Sequence, residues 1–277
     1  MKKVLAIGLG NVGRALYDVI NETNRYEVYG FDIDDAKTIH RLNEIPRDIN
    51  VIHICYPYID VKQFINPVIN YVKMFNPELI VINSTIPPGT TFKVYKVLGI
   101  DVVHAPIRGI HSRMKEHLRF WTLYVGPVNT RAGLKAKEYL ESLGFKVKVV
   151  KSPLETELGK LFETVYRALM IAFWQEMHRI ARYFNADIAE IADFIADTHK
   201  VLGDRPVYYP GVIGGSCLIP NTLILKRCYS KSKFLDVIIE SNELRKEEVK
   251  DPKVREEIEK IKRIWKQLIP KWYYGIK

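Results

Sequence analysis

The sequence predicts an α/β protein: a parallel sheet with helices on both faces in the first half, then an all-helical region built on a long connecting helix. Two observations predict it. Short β-rich runs alternate with helix-length stretches up to residue 150, and beyond Lys151 such runs all but vanish. The strand series is Val4–Ile7, Glu27–Phe31, Val51–Cys55, Leu79–Asn83, Val102–His104, Phe120–Val125 and Val147–Val150. Residues 12–24, 64–75 and 130–143 have helical length between them, and strands separated by helices pair in parallel beneath helical layers. Ser152-Pro153-Leu154-Glu155 reads as a capping box with proline at the first helical position. Leu158, Leu161, Phe162, Val165, Leu169, Ala172, Phe173 and Ile180 follow at helical spacing, and no proline or glycine interrupts residues 161–185. The result is a helix over about 153–185, roughly 45 Å long at 1.5 Å per residue. Asp187 and Glu190 start a second helix that runs to about Ala196. A glycine- and proline-rich loop, 203–220, precedes at least two more helices. Asp251-Pro252 opens the last, with Val254, Ile258, Ile261, Trp265 and Leu268 on one face. The expected domains are 1–150 and 151–277.

Composition narrows the function classes. Of 277 residues, 47% are hydrophobic and 27% charged, which is globular rather than disordered. The absence of 18 successive apolar residues argues against a membrane span. The net charge of +10 is compatible with nucleic acid, an anionic membrane, an acidic small molecule or simply a lysine-rich proteome, and no zinc-finger, RNA-binding or basic–aromatic pattern favours nucleic acid. Three cysteines without a CxxC pair suit a reducing cytoplasm. Seven histidines form no HxxxH or HExxH pattern, so no metal site is expected. Cys55 and His53, in one strand, read as buried sheet residues.

Gly8-Leu9-Gly10-Asn11-Val12-Gly13 follows the first strand and opens a helix. In such a turn the first glycine permits the bend, the second admits a pyrophosphate and the third lets helix and strand pack. Asp32 follows 19 residues after Gly13, where a carboxylate takes ribose hydroxyls and repels a 2′-phosphate. The first domain is therefore expected to be of Rossmann type and to bind NAD. Only 18 residues separate Asp32 from Val51, too few for the usual helix, strand and helix, so this half-domain is expected to be trimmed.

Two further stretches carry chemistry. Asn83-Ser84-Thr85-Ile86-Pro87-Pro88-Gly89-Thr90-Thr91 turns from a strand into a helix. Pro210-Gly211-Val212-Ile213-Gly214-Gly215-Ser216-Cys217 places freed backbone N–H groups before a thiol, which suits an oxyanion on a thiol adduct.

Together these stretches resemble the UDP-glucose/GDP-mannose 6-dehydrogenase family. Ser84–Thr91 matches its STVPPGTT-like turn, Gly211–Cys217 its cysteine loop, and Glu157-Leu158-Gly159-Lys160 its E-x-x-K helix. The likeness continues through Arg167-Ala168, Glu176, Ala186-Asp187 and Glu240-Ser241-Asn242. The resemblance implies a four-electron oxidation of a sugar alcohol by two NAD, through an aldehyde and a thioester. Carried over, Cys217 is the nucleophile, Lys160 steadies the oxyanion, and Thr85 positions water or substrate beside the nicotinamide. Asn221 stands at the position of a catalytic aspartate. Tyr56, Pro57 and Thr85 join Gly8, Gly10, Asn11, Val12, Gly13 and Asp32 at the cofactor. Lys160, Thr164, Arg108, Gly214, Gly215 and Ser216 face an anionic, sugar-like substrate. The resemblance also implies a homodimer through the long helix. The chain departs from the family at Ala105-Pro106-Ile107, where a glutamate is usual, and at Thr164 and Asn221, usually asparagine and aspartate. The family's third domain has no counterpart within these 277 residues. Two alternatives stay open: a two-electron hydroxyacid-type dehydrogenase using Lys160, and an NAD-binding protein without catalysis.

Overall fold

The computed structural model describes residues 1–275. The chain divides into two units, Met1–Lys160 and Leu161–Lys277.

In the first unit a seven-stranded sheet has the order β2-β1-β3-β4-β5-β6-β7. Its strands are β1 (Lys2–Ile7), β2 (Tyr26–Phe31), β3 (Val51–Ile54), β4 (Leu79–Ile82), β5 (Asp101–His104), β6 (Leu123–Pro127) and β7 (Val147–Val149). The helices α1 (Asn11–Glu22), α2 (Val61–Phe75), α3 (Thr90–Leu98), α4 (Met114–Phe120) and α5 (Thr130–Ser142) connect them. Alternation along each strand divides the core. Val4, Val28, Val51, Val81 and Val103 pack with α1 and α5 on one face. Leu5, Ile7, Ile52, Ile54, Ile80 and Ile82 pack with α2 and α3 on the other. Burial on both faces is why these strands read as unbroken apolar runs.

The half-domain is trimmed as the short spacing requires: β2 is an outer strand, and residues 32–50 form no strand or helix. His40 stands in for the missing neighbour. Its backbone N–H donates to the Gly30 carbonyl at 2.9 Å, and its ring Nδ1 accepts the Gly30 N–H at 3.2 Å.

One strand differs from expectation. Phe120 ends α4 instead of starting a strand, and β6 runs antiparallel to β5, pairing Val103 with Pro127 and His104 with Gly126. The sheet is thus parallel except at that junction, because the chain between Ala105 and Thr122 turns back through α4 without crossing the sheet.

The second unit is helical. α6 (Pro153–Tyr183) is 31 residues long and contributes its first two turns to the first unit. It is followed by α7 (Ile188–Leu202), α8 (Leu218–Cys228), α9 (Lys233–Glu248), α10 (Pro252–Leu268) and α11 (Lys271–Tyr274). Asp187 caps α7 through the Ala189 N–H at 2.7 Å, and Asp251 caps α10 through Lys253 N–H at 2.9 Å. α7 extends past Ala196 to a left-handed Gly203. α8 begins at Leu218, so Leu218, Ile219 and Pro220 lie in its first turn and not in the preceding loop. Trp174, Ala181, Ile188, Ala192 and Ile261 form one core, and Ala168, Ala172, Ile213 and Ile238 another. Among the described residues no helix is long and apolar enough to cross a membrane, and no group of three metal-ligating side chains occurs.

Candidate functional site

The glycine turn explains itself atom by atom. Gly8 has φ +90°, and a Cβ there would lie 2.6 Å from the Tyr56 nitrogen. A Cβ on Gly13 would lie 1.9 Å from the Gly8 carbonyl oxygen, so α1 can start this close to β1 only on glycine. Gly10 is different: nothing lies within 4 Å of a Cβ placed on it. No internal contact demands glycine there, and the open space is where a pyrophosphate would meet the backbone at the start of α1.

β2 stops at Phe31, and Asp32 turns back onto that loop. Its Oδ2 accepts the Leu9 N–H at 2.6 Å and its Oδ1 accepts the Asp34 N–H at 2.9 Å. Gly8, Gly10, Asp32, Tyr56 and Pro57 line one cavity of about 470 Å³. Asn11 is exposed beside it and Val12 is half-buried. Gln63, Pro67 and Tyr71 of α2 complete the wall, with Ile33, Lys37 and Ile59. Their spacing of four along one helix face was a readable signal that the motif reading did not use. Cys55 also lines the cavity, and burial pushes its thiol up to about 12, so it is inert at neutral pH.

Behind the strand ends lies a polar core. His53 is fully buried, with Nδ1 2.8 Å from Asn83 Oδ1 and Nε2 2.8 Å from the Tyr139 hydroxyl. Asn83 Nδ2 donates to the Ala105 carbonyl at 2.7 Å, so its Oδ1 accepts and His53 carries its proton on Nδ1. His104 Nε2 donates to the Ser84 carbonyl at 3.0 Å, and its Nδ1 accepts from Thr156 Oγ1 at 2.8 Å. Desolvation holds both imidazoles down at about 4, hence neutral. Thr85 is half-buried on the turn that these contacts fix. Lys160 is half-buried near the start of α6, and its charge also disfavours protonation of His104. Arg108 donates to the Thr122 carbonyl at 2.8 Å, its guanidinium 4.8 Å from the Trp121 ring centre and 5.3 Å from that of Tyr124.

In the second unit Cys217 is exposed at the N-terminal boundary of α8, after Gly215 at φ +80° and with Ser216 Oγ 3.8 Å from its sulfur. Gly214 and Ser216 are exposed as well. The loop behind them is clamped by buried amides. Asn242 accepts the Ile213 N–H at 2.7 Å and donates to the Ile213 carbonyl at 3.2 Å, while Gln175 donates to the Gly211 carbonyl at 2.8 Å. Ser241 donates to Gln175 Oε1 at 2.7 Å and is itself held by Arg179 at 3.0 Å. Sequence reasoning marked Ser241 and Asn242 but gave them no role. Thr164 and Asn221 are both buried, and Asn221 Nδ2 donates to Thr164 Oγ1 at 3.1 Å. Two of the three departures from the family pattern are therefore hydrogen-bonded to each other.

The open second glycine and the Asp32 carboxylate beside it are the features of a Rossmann-type unit suited to NAD. More particularly, residues 154–244 match the central domain of the UDP-glucose/GDP-mannose dehydrogenase family, and the chain is a relative of that family's UDP-sugar dehydrogenases. It is 26% identical over 313 aligned positions to a UDP-N-acetyl-D-mannosamine dehydrogenase of Methanocaldococcus jannaschii, covering 98% of this chain and 70% of that protein. The solved UDP-D-ManNAc dehydrogenase of Pyrococcus horikoshii superposes with TM-score 0.78 at 21% identity, over 87% of this chain and 68% of that one. A 3-hydroxyisobutyrate dehydrogenase of Mycobacterium tuberculosis shares the fold with TM-score 0.68 at 14% identity, over 91% of this chain and 94% of its own. The chain thus spans about two thirds of the length of the sugar-nucleotide relatives, 65% for two of them.

Proposed function

We propose that this protein oxidises the alcohol of an anionic, sugar-like substrate to the acid, with Cys217 as nucleophile and Lys160 as the cation that steadies the oxyanion. The observation carrying this reading is Cys217 itself: an exposed thiol at the start of α8, on a glycine loop whose backbone is clamped by Asn242 and Gln175. NAD, for which the open Gly10 and the Asp32 carboxylate are suited, supplies the hydride acceptor for both oxidation stages. The Cys217 thiolate adds to the aldehyde carbon, forming a C–S bond and an oxyanion that the Lys160 ammonium stabilises. Oxidation of that adduct leaves a thioester, and water cleaves the C–S bond to release a carboxylate and the thiol. Asn221 cannot take up a proton as an amide, so Thr164 and Asn221 support the site without serving as its base. The net charge of +10 favours an anionic substrate, and the relatives' names make a UDP-N-acetylhexosamine the first to try.

A second reading is a two-electron oxidation that needs Lys160 and not Cys217. It is favoured by Asn221, an amide that cannot serve as the base which hydrolysis of a thioester needs. The test counts NADH per substrate consumed with UDP-N-acetylmannosamine and with short hydroxyacids. Two NADH, lost in Cys217→Ser, support the thioester route, and one NADH with indifference to Cys217→Ser replaces it by the second.

The partner is a second copy of the chain. Phe162, Tyr166, Phe173 and Ile180 are all exposed on one face of α6 at spacings of four and seven, which supports a homodimer through this helix. A cytoplasmic setting is proposed from the reduced thiol that the chemistry requires.

A further inference from the structure

Glu157 lies in the first turns of α6, three residues before Lys160, and its carboxylate is wholly engaged inside the first unit. It is fully buried, accepting the Gly89 N–H at 2.6 Å, the Thr91 N–H at 2.9 Å and the Thr91 hydroxyl at 2.7 Å. These donors surround the N-terminus of α3, which has no side-chain cap of its own because Gly89 occupies that position. A local serine or aspartate would cap α3 without burying a charge. Here the cap comes from another element, and burial pushes the Glu157 carboxyl above the usual range despite its three donors.

The same stretch of α6 is fixed twice more. Thr156 donates to His104, which holds the Ser84 carbonyl beside Thr85. A Cβ on Gly126 of β6 would lie 2.5 Å from Thr156 Oγ1 and 2.6 Å from the Ser152 carbonyl, so glycine there lets the helix start lie directly on the strand. The turn bearing Thr85 and the helix start bearing Lys160 are therefore joined by a carboxylate on one side and an imidazole on the other.

We infer that Glu157 is a positioning residue which clamps the N-terminus of α3 to the start of α6 and so holds Thr85 and Lys160 in one mutual geometry for the oxidation. The inference rests on the role proposed for Lys160. Misplacement of a catalytic group by 1 Å can cost about 10²-fold in rate, so a clamp this close to Lys160 acts on turnover more than on binding.

The experiment compares Glu157→Gln, Glu157→Asp, Thr91→Val and Lys160→Ala in the full chain. It measures kcat and KM with the substrate of the proposed function and NAD affinity by calorimetry. In Glu157→Gln an amide NH₂ faces either the Gly89 or the Thr91 N–H, and two donors cannot pair. The expected result is a kcat lower by about tenfold or more, with NAD affinity and KM within about twofold. Glu157→Asp, which keeps the charge, recovers part of that loss. Thr91→Val removes one donor with the carboxylate in place, and lowers kcat in the same direction by less. Glu157→Gln and Thr91→Val with unchanged kcat, beside an inactive Lys160→Ala, overturn the positioning role and leave the proposed function standing. Full turnover in Lys160→Ala overturns both.

Discussion

Acid should loosen the first unit before it strips the surface carboxylates of their charge. His53 and His104 are fully buried and held at about 4 by desolvation, against 6.5 in the open chain. Between those values the unfolded chain binds a proton at each site and the folded chain does not, so stability falls as pH drops from 6.5 toward 4. At about 1.36 kcal/mol per pH unit, each site costs about 2 kcal/mol by pH 5, and the pair about 4 kcal/mol, a large part of the ~5–15 kcal/mol that holds a typical domain together. Glu157 works in the opposite sense, because a carboxyl raised in the folded state gains stability as it protonates, but it is one group against two. Urea unfolding followed by circular dichroism at pH 7 and pH 5 measures the loss. His104→Gln lowers stability at both pH values, yet it should shrink the difference between them by removing one titrating site, leaving His53 and the likewise buried and lowered His178 in place. Equal midpoints at pH 7 and pH 5, or an undiminished difference in His104→Gln, would refute the neutral, buried assignment.

Two substitutions probe the sites separately. Gly13→Ala places a methyl 1.9 Å from the Gly8 carbonyl oxygen, and should abolish NAD binding in calorimetry or cost at least ~1–3 kcal/mol in urea unfolding. Asn242→Ala leaves the buried Ile213 N–H and carbonyl without their partner. It should destabilise the protein by ~1–3 kcal/mol and alter the rate at which iodoacetamide alkylates Cys217, while NAD affinity stays unchanged.

Much of the fold was legible because it rests on local pattern. Both-faced burial produces the apolar runs of β1, β3, β4 and β5. The glycine spacing marks the cofactor turn, and the short interval after Asp32 announces the lost strand. The direction of β6 was not legible, since alternation along a strand says nothing about which way its neighbour runs. The site was legible where a motif is contiguous, as at Gly211–Cys217 and Ser84–Thr91. It was illegible where partners are distant in the chain. Glu157 meets Thr91 across 66 residues and His53 meets Tyr139 across 86, and no spacing rule connects them. The pairing of Thr164 with Asn221, 57 positions apart, likewise makes sense only when both are seen in contact. Read singly, each is a departure from the family pattern; read together, they are one buried hydrogen-bonded pair.

The seal that His40 forms along Gly30 has a consequence for assembly. A sheet that gives up its outermost strand exposes a template on which another chain can grow, and here one imidazole and one amide close that edge at Gly30. That part of the edge is thereby guarded by a side chain in a segment without regular structure. Truncating that ring should show itself first as aggregation at high concentration, before any deficit in catalysis appears.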